Sequence, residues 1–101
     1  MNLRILDFTD NKIQNIPKEI LNLKKLKILS FRNNKIEYIP KELGCLSDLI
    51  YLDLRNNLIN ELPESICELP VLEKLDLRWN KNLTLPSWLN HLENKGCIVL
   101  T

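Results

Sequence analysis

Three arginines, Arg32, Arg55 and Arg78, stand 23 residues apart, and two of them follow an aspartate by two positions, Asp53 and Asp76. Residues i and i+2 of an extended segment share a face, so each Asp–Arg couple can pair laterally there. Tyr51 and Trp79 accompany the same arginines. Tyrosine, tryptophan and arginine dominate interface energies, so the chemistry on offer is recognition. Two catalytic alternatives are weaker. Asp53 and Asp76 would form an acid–base couple, but on an open, wet sheet beside arginines nothing raises a carboxyl pKa. Cys45, Cys67 and His91 fall at similar offsets of three successive units, yet a zinc site built from them lacks a fourth ligand. The sequence contains no Gly-rich phosphate loop, no HExxH and no CxxC. We expect no catalysis and no cofactor.

A repeat positions these side chains. Pro17, Pro40, Pro63 and Pro86 lie 23 residues apart, and Asn11, Asn34, Asn57 and Asn80 keep the same step. Four units run 3–25, 26–48, 49–71 and 72–94, and 95–101 begins a fifth. Leu49, Leu52, Leu54, Ile59, Leu62, Ile66 and Leu69 mark the apolar frame of the third; Leu3, Leu6, Phe8, Ile13, Ile16, Ile20 and Leu23 mark it in the first. Leu52 and Leu54 alternate with Asp53 and Arg55, the period of a strand with one buried face. Asn57 then turns the chain, and its amide can satisfy backbone groups that leave the ladder. Pro63 fixes φ and carries no donor, which suits the start of a short helical turn. Ile66 and Leu69 give that turn its buried side. One coil cannot bury this face alone, whereas stacked coils share a core. Strands are expected near 3–8, 26–31, 49–54, 72–77 and 97–100, with Ile98 and Leu100 on core offsets of the closing strand.

Stacking sets equivalent positions about 4.8 Å apart and writes three outward columns. Ile5, Ile28, Tyr51, Lys74 and Cys97 form the first. Asp7, Ser30, Asp53, Asp76 and Val99 form the second, and Thr9, Arg32, Arg55, Arg78 and Thr101 the third. Asp10, Asn33, Asn56 and Trp79 lie at the strand ends. Two readings of this face stay open. One is a solvated charge network that keeps the sheet soluble. The other is a binding surface centred on Tyr51, Arg55, Arg78 and Trp79, with Ile28, Arg32 and Lys74 around them and Asp53 and Asp76 fixing the arginines.

The pattern LxxLxLxxNxIxxIPxxIxxLxx, carried in four consecutive copies over residues 3–94, resembles the leucine-rich repeat family. Its length and its IP or LP step are similar to the short repeats of intracellular Ras-associated scaffolds and of many bacterial members. The ending WLNHLENKGCIVL is similar to the terminal segment of some spirochaete-type members. The resemblance implies an α/β solenoid of four repeats and a closing strand, with a parallel concave sheet and short helical turns on the convex side. Ligands of the family usually bind the concave face, which favours the second reading of the columns. Asn82 departs from the pattern where an aliphatic residue belongs, and Leu83 is expected to cover for it. Trp88 reads as a lid over the last coil.

The 101 residues give room for one domain, 1–101, and 45% of them are apolar, which excludes disorder. A net charge of +1 argues against a dedicated nucleic-acid binder. No apolar run approaches the ~20 residues of a membrane span. The charged start MNLRILDFTDNK does not read as an export signal. Cys45, Cys67 and Cys97, an odd set without framework spacing, read as thiols, so the expected location is cytoplasmic. The expected partner is a protein, bound through the concave face. The alternatives are a structural or oligomerisation unit with no separate ligand, and an adaptor fragment of a larger protein. Five strands showing ~17 Å each at ~4.8 Å spacing expose only ~400 Å², half of the ~800 Å² that each partner brings to a stable interface. Only Met1 and Asn2 precede the first coil, so its apolar flank and strand edge invite a homodimer through strand 3–8.

Overall fold

The protein is described here from a computed structural model covering residues 3–101; Met1 and Asn2, the lead-in to the first coil, lie outside the described residues. Five three-residue strands, β1 (Ile5–Asp7), β2 (Ile28–Ser30), β3 (Tyr51–Asp53), β4 (Lys74–Asp76) and β5 (Ile98–Leu100), form one parallel sheet in chain order. Each strand returns through an opposite wall. In the first three coils that wall is a 3₁₀ turn, Lys18–Asn22, Lys41–Cys45 and Glu64–Glu68. Pro17, Pro40 and Pro63 occupy the N-caps of these turns with extended backbone. A missing N–H costs nothing at that position. Between the walls run the leucines and isoleucines of the frame, with Leu29, Leu52, Leu75, Leu43 and Ile66 fully buried. Phe8 and Phe31 stack across the first two coils, ring centroids 5.2 Å apart.

The asparagines hold the bends. The Asn57 side-chain amide donates to the carbonyls of Phe31, Leu54 and Arg55, and its Oδ1 accepts from the Ile36 N–H. Asn34 does the same between coils one and two, and Asn80 between three and four. Each of these three asparagines ties its own coil to the preceding one, and all three are buried. Gly44 has a different task. A Cβ there would lie 2.6 Å from the Ser65 carbonyl oxygen, so only glycine lets these adjacent convex turns approach.

Coil four breaks the 23-residue frame twice. Lys81 and Asn82 form a turn closed by the Leu83 N–H on the Asn80 carbonyl, and Leu83 packs on the core in place of Asn82. The return wall is then an α-helix, α1 (Leu89–Asn94), rather than a 3₁₀ turn. It ends on Gly96 at φ 97°, with the Cys97 N–H bonded to the Leu92 carbonyl and the Gly96 N–H to that of Glu93. This left-handed Schellman stop needs a glycine and uses one residue more than the other returns.

The sheet register therefore runs Lys74 to Ile98, Leu75 to Val99 and Asp76 to Leu100. Here the expected register of the closing strand is corrected. Cys97 is buried and Val99 packs against the core, while Ile98 is 58% exposed and Leu100 half-buried. Cys97, Val99 and Thr101 thus leave the outward columns, and Ile98 and Leu100 leave the core. The extra residue inverts every side chain of a period-two strand.

Replacing Asn57 with Ala should cost about 1–3 kcal/mol for the buried backbone groups it strands. Glu61→Ala, on the same coil but exposed, should cost well under half of that. Chemical denaturation of the two variants checks the contrast; equal midpoints would refute it.

Candidate interaction surface

The sheet places the predicted columns in register. Ile28 stands beside Tyr51 and Tyr51 beside Lys74; Ser30 stands beside Asp53 and Asp53 beside Asp76. Arg55 grips Asp53 through two bonds, Nε to Oδ1 at 3.0 Å and Nη2 to Oδ2 at 2.8 Å. Arg78 grips Asp76 with the same two distances. The backbone N–H of each arginine also bonds its aspartate, which fixes the carboxylate from below. Asp76 is shared between coils, since Arg55 Nε reaches its Oδ2 at 3.1 Å. Tyr51 donates its hydroxyl to Asp53, 3.2 Å away. The Lys74 ammonium sits 5.0 Å from the centre of the Tyr51 ring, and the Arg78 guanidinium 5.9 Å from that of Trp79. Seven of the nine candidate residues thus form one continuous cluster. Ile28 and Arg32 border it without a polar bond to it.

Burial corrects the expectation of a wet carboxylate row. Asp53 is 3% and Asp76 0% exposed, roofed by the side chains they bind. Arg55 retains 17% of its side-chain surface and Arg78 39%. Burial pushes the Asp53 carboxyl up, but the hydrogen bonds from Arg55, with its charge and the Tyr51 hydroxyl, outweigh that and hold it below the ordinary range. The Arg55 and Arg78 guanidiniums are raised further by their hydrogen bonds to Asp53 and Asp76. Burial raises the Tyr51 phenol, and the Asp53 charge adds to it. An ionised carboxylate under a permanent cation is a structural anchor. It is poorly suited to trade protons near neutral pH.

Arg32 is the exception in its column. Its coil carries Ser30 where the next two carry aspartate, and the ion pairs among the described residues engage Arg55 and Arg78 but not Arg32. Its Nε is buried and has no hydrogen-bond partner. An orphaned buried donor costs about 1–3 kcal/mol.

The strand ends hold a feature that sequence reasoning did not find. Asp10, Asn33, Asn56 and Trp79 all adopt positive φ, between 53° and 65°. Asn56 donates to Asn33 and Asn33 to Asp10, at 2.8 and 2.6 Å, making a second side-chain ladder along the rim. Aspartate and asparagine tolerate this left-handed backbone, whereas a bulky aromatic is strained there. Trp79 accepts that strain while remaining 65% exposed. The recurrence of Asp or Asn at this offset was the available signal, and Trp79 its outlier. On the convex side Cys45 and His91 are exposed, and among the described residues no group of three or more His, Cys, Asp or Glu side chains is placed to hold a metal.

The leucine rich repeat family model matches residues 1–49 and 43–81, and a second leucine rich repeat model matches 71–92. The chain belongs to the leucine-rich repeat family. A solved leucine-rich-repeat protein of Leptospira interrogans is 38% identical, with a TM-score of 0.85 over 98% of this chain. The leucine-rich-repeat chain spans 25% of that protein's length. Comparison with curated proteins returned no match. The resemblance of the chain to spirochaete-type members of the family is thereby shown, and so is the solenoid. Domains of this family generally mediate protein–protein interaction, and among the described residues no helix is long and apolar enough to cross a membrane.

Because the folded Asp53 carboxyl titrates below its unfolded value of about 4, its contribution to stability is complete above that pH and lost as pH falls through the folded value. Asp53→Asn should lower stability at pH 7 by about 1–3 kcal/mol, and the difference from wild type should shrink on the acid side. Denaturation midpoints from pH 7 to 2.5 test this. A difference constant across that range would contradict the assignment.

Proposed function

We propose that this leucine-rich-repeat domain is a protein-recognition module with no catalytic step of its own, and that its partner lies across the concave face. The observation that carries this reading is the pairing of fixed arginines with a strained, exposed tryptophan. Arg55 and Arg78 have surrendered much of their rotamer freedom to Asp53 and Asp76 before any partner arrives, which lowers the entropic cost of binding. Trp79 occupies a backbone conformation that Asp or Asn fills in the other coils, a destabilising choice of the kind that gathers at functional positions. Tyr51, Lys74 and Ile28 continue the same face toward coil two. A face of ~400 Å² supports only weak binding alone, so further surface from strand-end loops, from more repeats or from a second copy belongs to the full interaction.

Trp79→Asn separates folding from binding. Asparagine suits the left-handed backbone and can extend the rim ladder from Asn56, so stability should rise by about 1 kcal/mol, some 4–8 °C in Tm for a chain of this size. Affinity for a partner captured by the wild type should fall by about 2 kcal/mol. The same partner should be lost by the combined Tyr51→Ala, Arg55→Ala, Trp79→Ala variant and kept by alanines at the convex Lys18, Lys41 and Glu64. The reverse pattern would move the site to the convex side.

A second reading concerns the first coil, whose flank is more open than the next. Ile5 is 59% exposed and Phe8 and Ile13 are half-buried, against complete burial of Phe31 and Ile36. We propose that a second copy covers this flank by antiparallel pairing along β1. Light scattering over a concentration series should then show a dimer that Ile5→Lys dissociates. A monomer throughout would assign the flank to a different neighbour.

A further inference from the structure

The columns describe a sheet in which each arginine is answered by a carboxylate two residues earlier, except in coil two. Ser30 lies in register with Asp53, which lies in register with Asp76. Its hydroxyl is turned to local bonds, at 3.3 Å from the Thr9 hydroxyl and 3.4 Å from the Arg32 N–H. Asp7, the carboxylate of the preceding coil, is occupied by the Thr9 backbone N–H at 2.9 Å and by the Thr9 hydroxyl. Arg32 therefore stands in a row of paired guanidiniums as the one whose Nε is buried without an acceptor.

We infer that Arg32 is the docking point for a carboxylate of the protein partner, an Asp or Glu side chain that completes in trans what Ser30 does not supply in cis. The inference rests on the concave-face reading above and adds the chemistry of the partner to it. The neighbouring coils show the geometry required. Arg55 and Arg78 each hold a carboxylate by two parallel bonds of 2.8–3.0 Å, a fork that matches the planar carboxylate. Serine in place of aspartate leaves the guanidinium without its internal clamp, so it can swing toward an incoming acid. The exchange replaces an orphaned donor by a charge-assisted pair, so the contact gains more than an already paired arginine could give. Arg55 and Arg78 cannot serve this way, because their carboxylates already fill the fork. They line the face on one side of the site, and Tyr51 in the adjoining coil supplies apolar contact beside it.

The test uses the full chain and a displayed library of random peptides, with affinities of the selected peptides read by fluorescence anisotropy. The wild type should select peptides sharing an Asp or Glu at one position. Changing that residue to Asn or Gln should weaken binding about tenfold to wild type and not at all to Arg32→Ala, the signature of a direct pair. Ser30→Asp gives Arg32 its own carboxylate, as in coils three and four. It should cut affinity for the acidic peptides at least tenfold while its circular dichroism stays that of the wild type. Peptides with no recurring acid, or acidic peptides bound equally well by Ser30→Asp, would overturn the inference. If such peptides still lose affinity on Trp79→Asn, the concave site survives and only the role of Arg32 falls. If no selected peptide responds to Trp79→Asn, both readings fall together.

Discussion

A backbone that leaves a sheet at every coil must find new partners for its peptide groups, and the buried asparagines are how this protein does it. A side-chain amide has two donors and one oxygen, enough to serve carbonyls in two adjacent coils and an N–H at the bend. Asn34, Asn57 and Asn80 use that capacity, each bonded to a carbonyl of its own strand end, to one in the preceding coil and to an N–H there. Glycine could make the turn but would leave those groups unsatisfied. The spacing of the asparagines therefore sets the translation from coil to coil. The alignment of Asp53 with Asp76, and of Arg55 with Arg78, is inherited from it.

On the concave side the same translation creates a conflict that the chain resolves locally. Stacking like side chains about 4.8 Å apart would set cation against cation and carboxylate against carboxylate. Alternating the two columns converts that repulsion into a lattice. Asp76 receives both Arg55 and Arg78, and Asp53 receives Arg55 and Tyr51. Burying charges is expensive unless they are paired and hydrogen-bonded. Here the sheet supplies a backbone N–H, a guanidinium and, at Asp53, a phenol. The arginines remain partly exposed, so the cluster is rigid beneath and accessible above.

Much of this was legible from residue spacing. The ruler of Pro17, Pro40, Pro63 and Pro86 located all four return turns, the last of them the helix α1, and the Leu-x-Leu alternation located β1 to β4. Asp53–Arg55 and Asp76–Arg78 were readable as lateral pairs, although their depth was not. Two residues separate the partners in either case, and only the packing of Tyr51 and the arginines over the carboxylates buries them. Leu83 was recognisable as the substitute for Asn82 from its apolar character alone. The register of β5 was not recoverable. A single residue added between Leu92 and Cys97 decides it, and whether six residues close as a 3₁₀ turn or as a capped α-helix depends on Gly96 and on the packing of Leu89 and Leu92. The unpaired Arg32 was visible as a Ser30 where aspartate recurs. That absence gained meaning only once the neighbouring aspartates proved to be filled.

The inverted closing strand has one more effect. A surface generated by translation looks nearly the same after a shift of one coil, so a ligand lying across it can slip along the array at little cost. β5 removes that degeneracy. Past Lys74 and Asp76 the next residues on the face are Ile98 and Leu100, and the alternation of charges stops at an apolar border. Trp79 stands just before this border and the paired arginines behind it. The described coils therefore carry a landmark at β5 that breaks the translational likeness of one coil to the next.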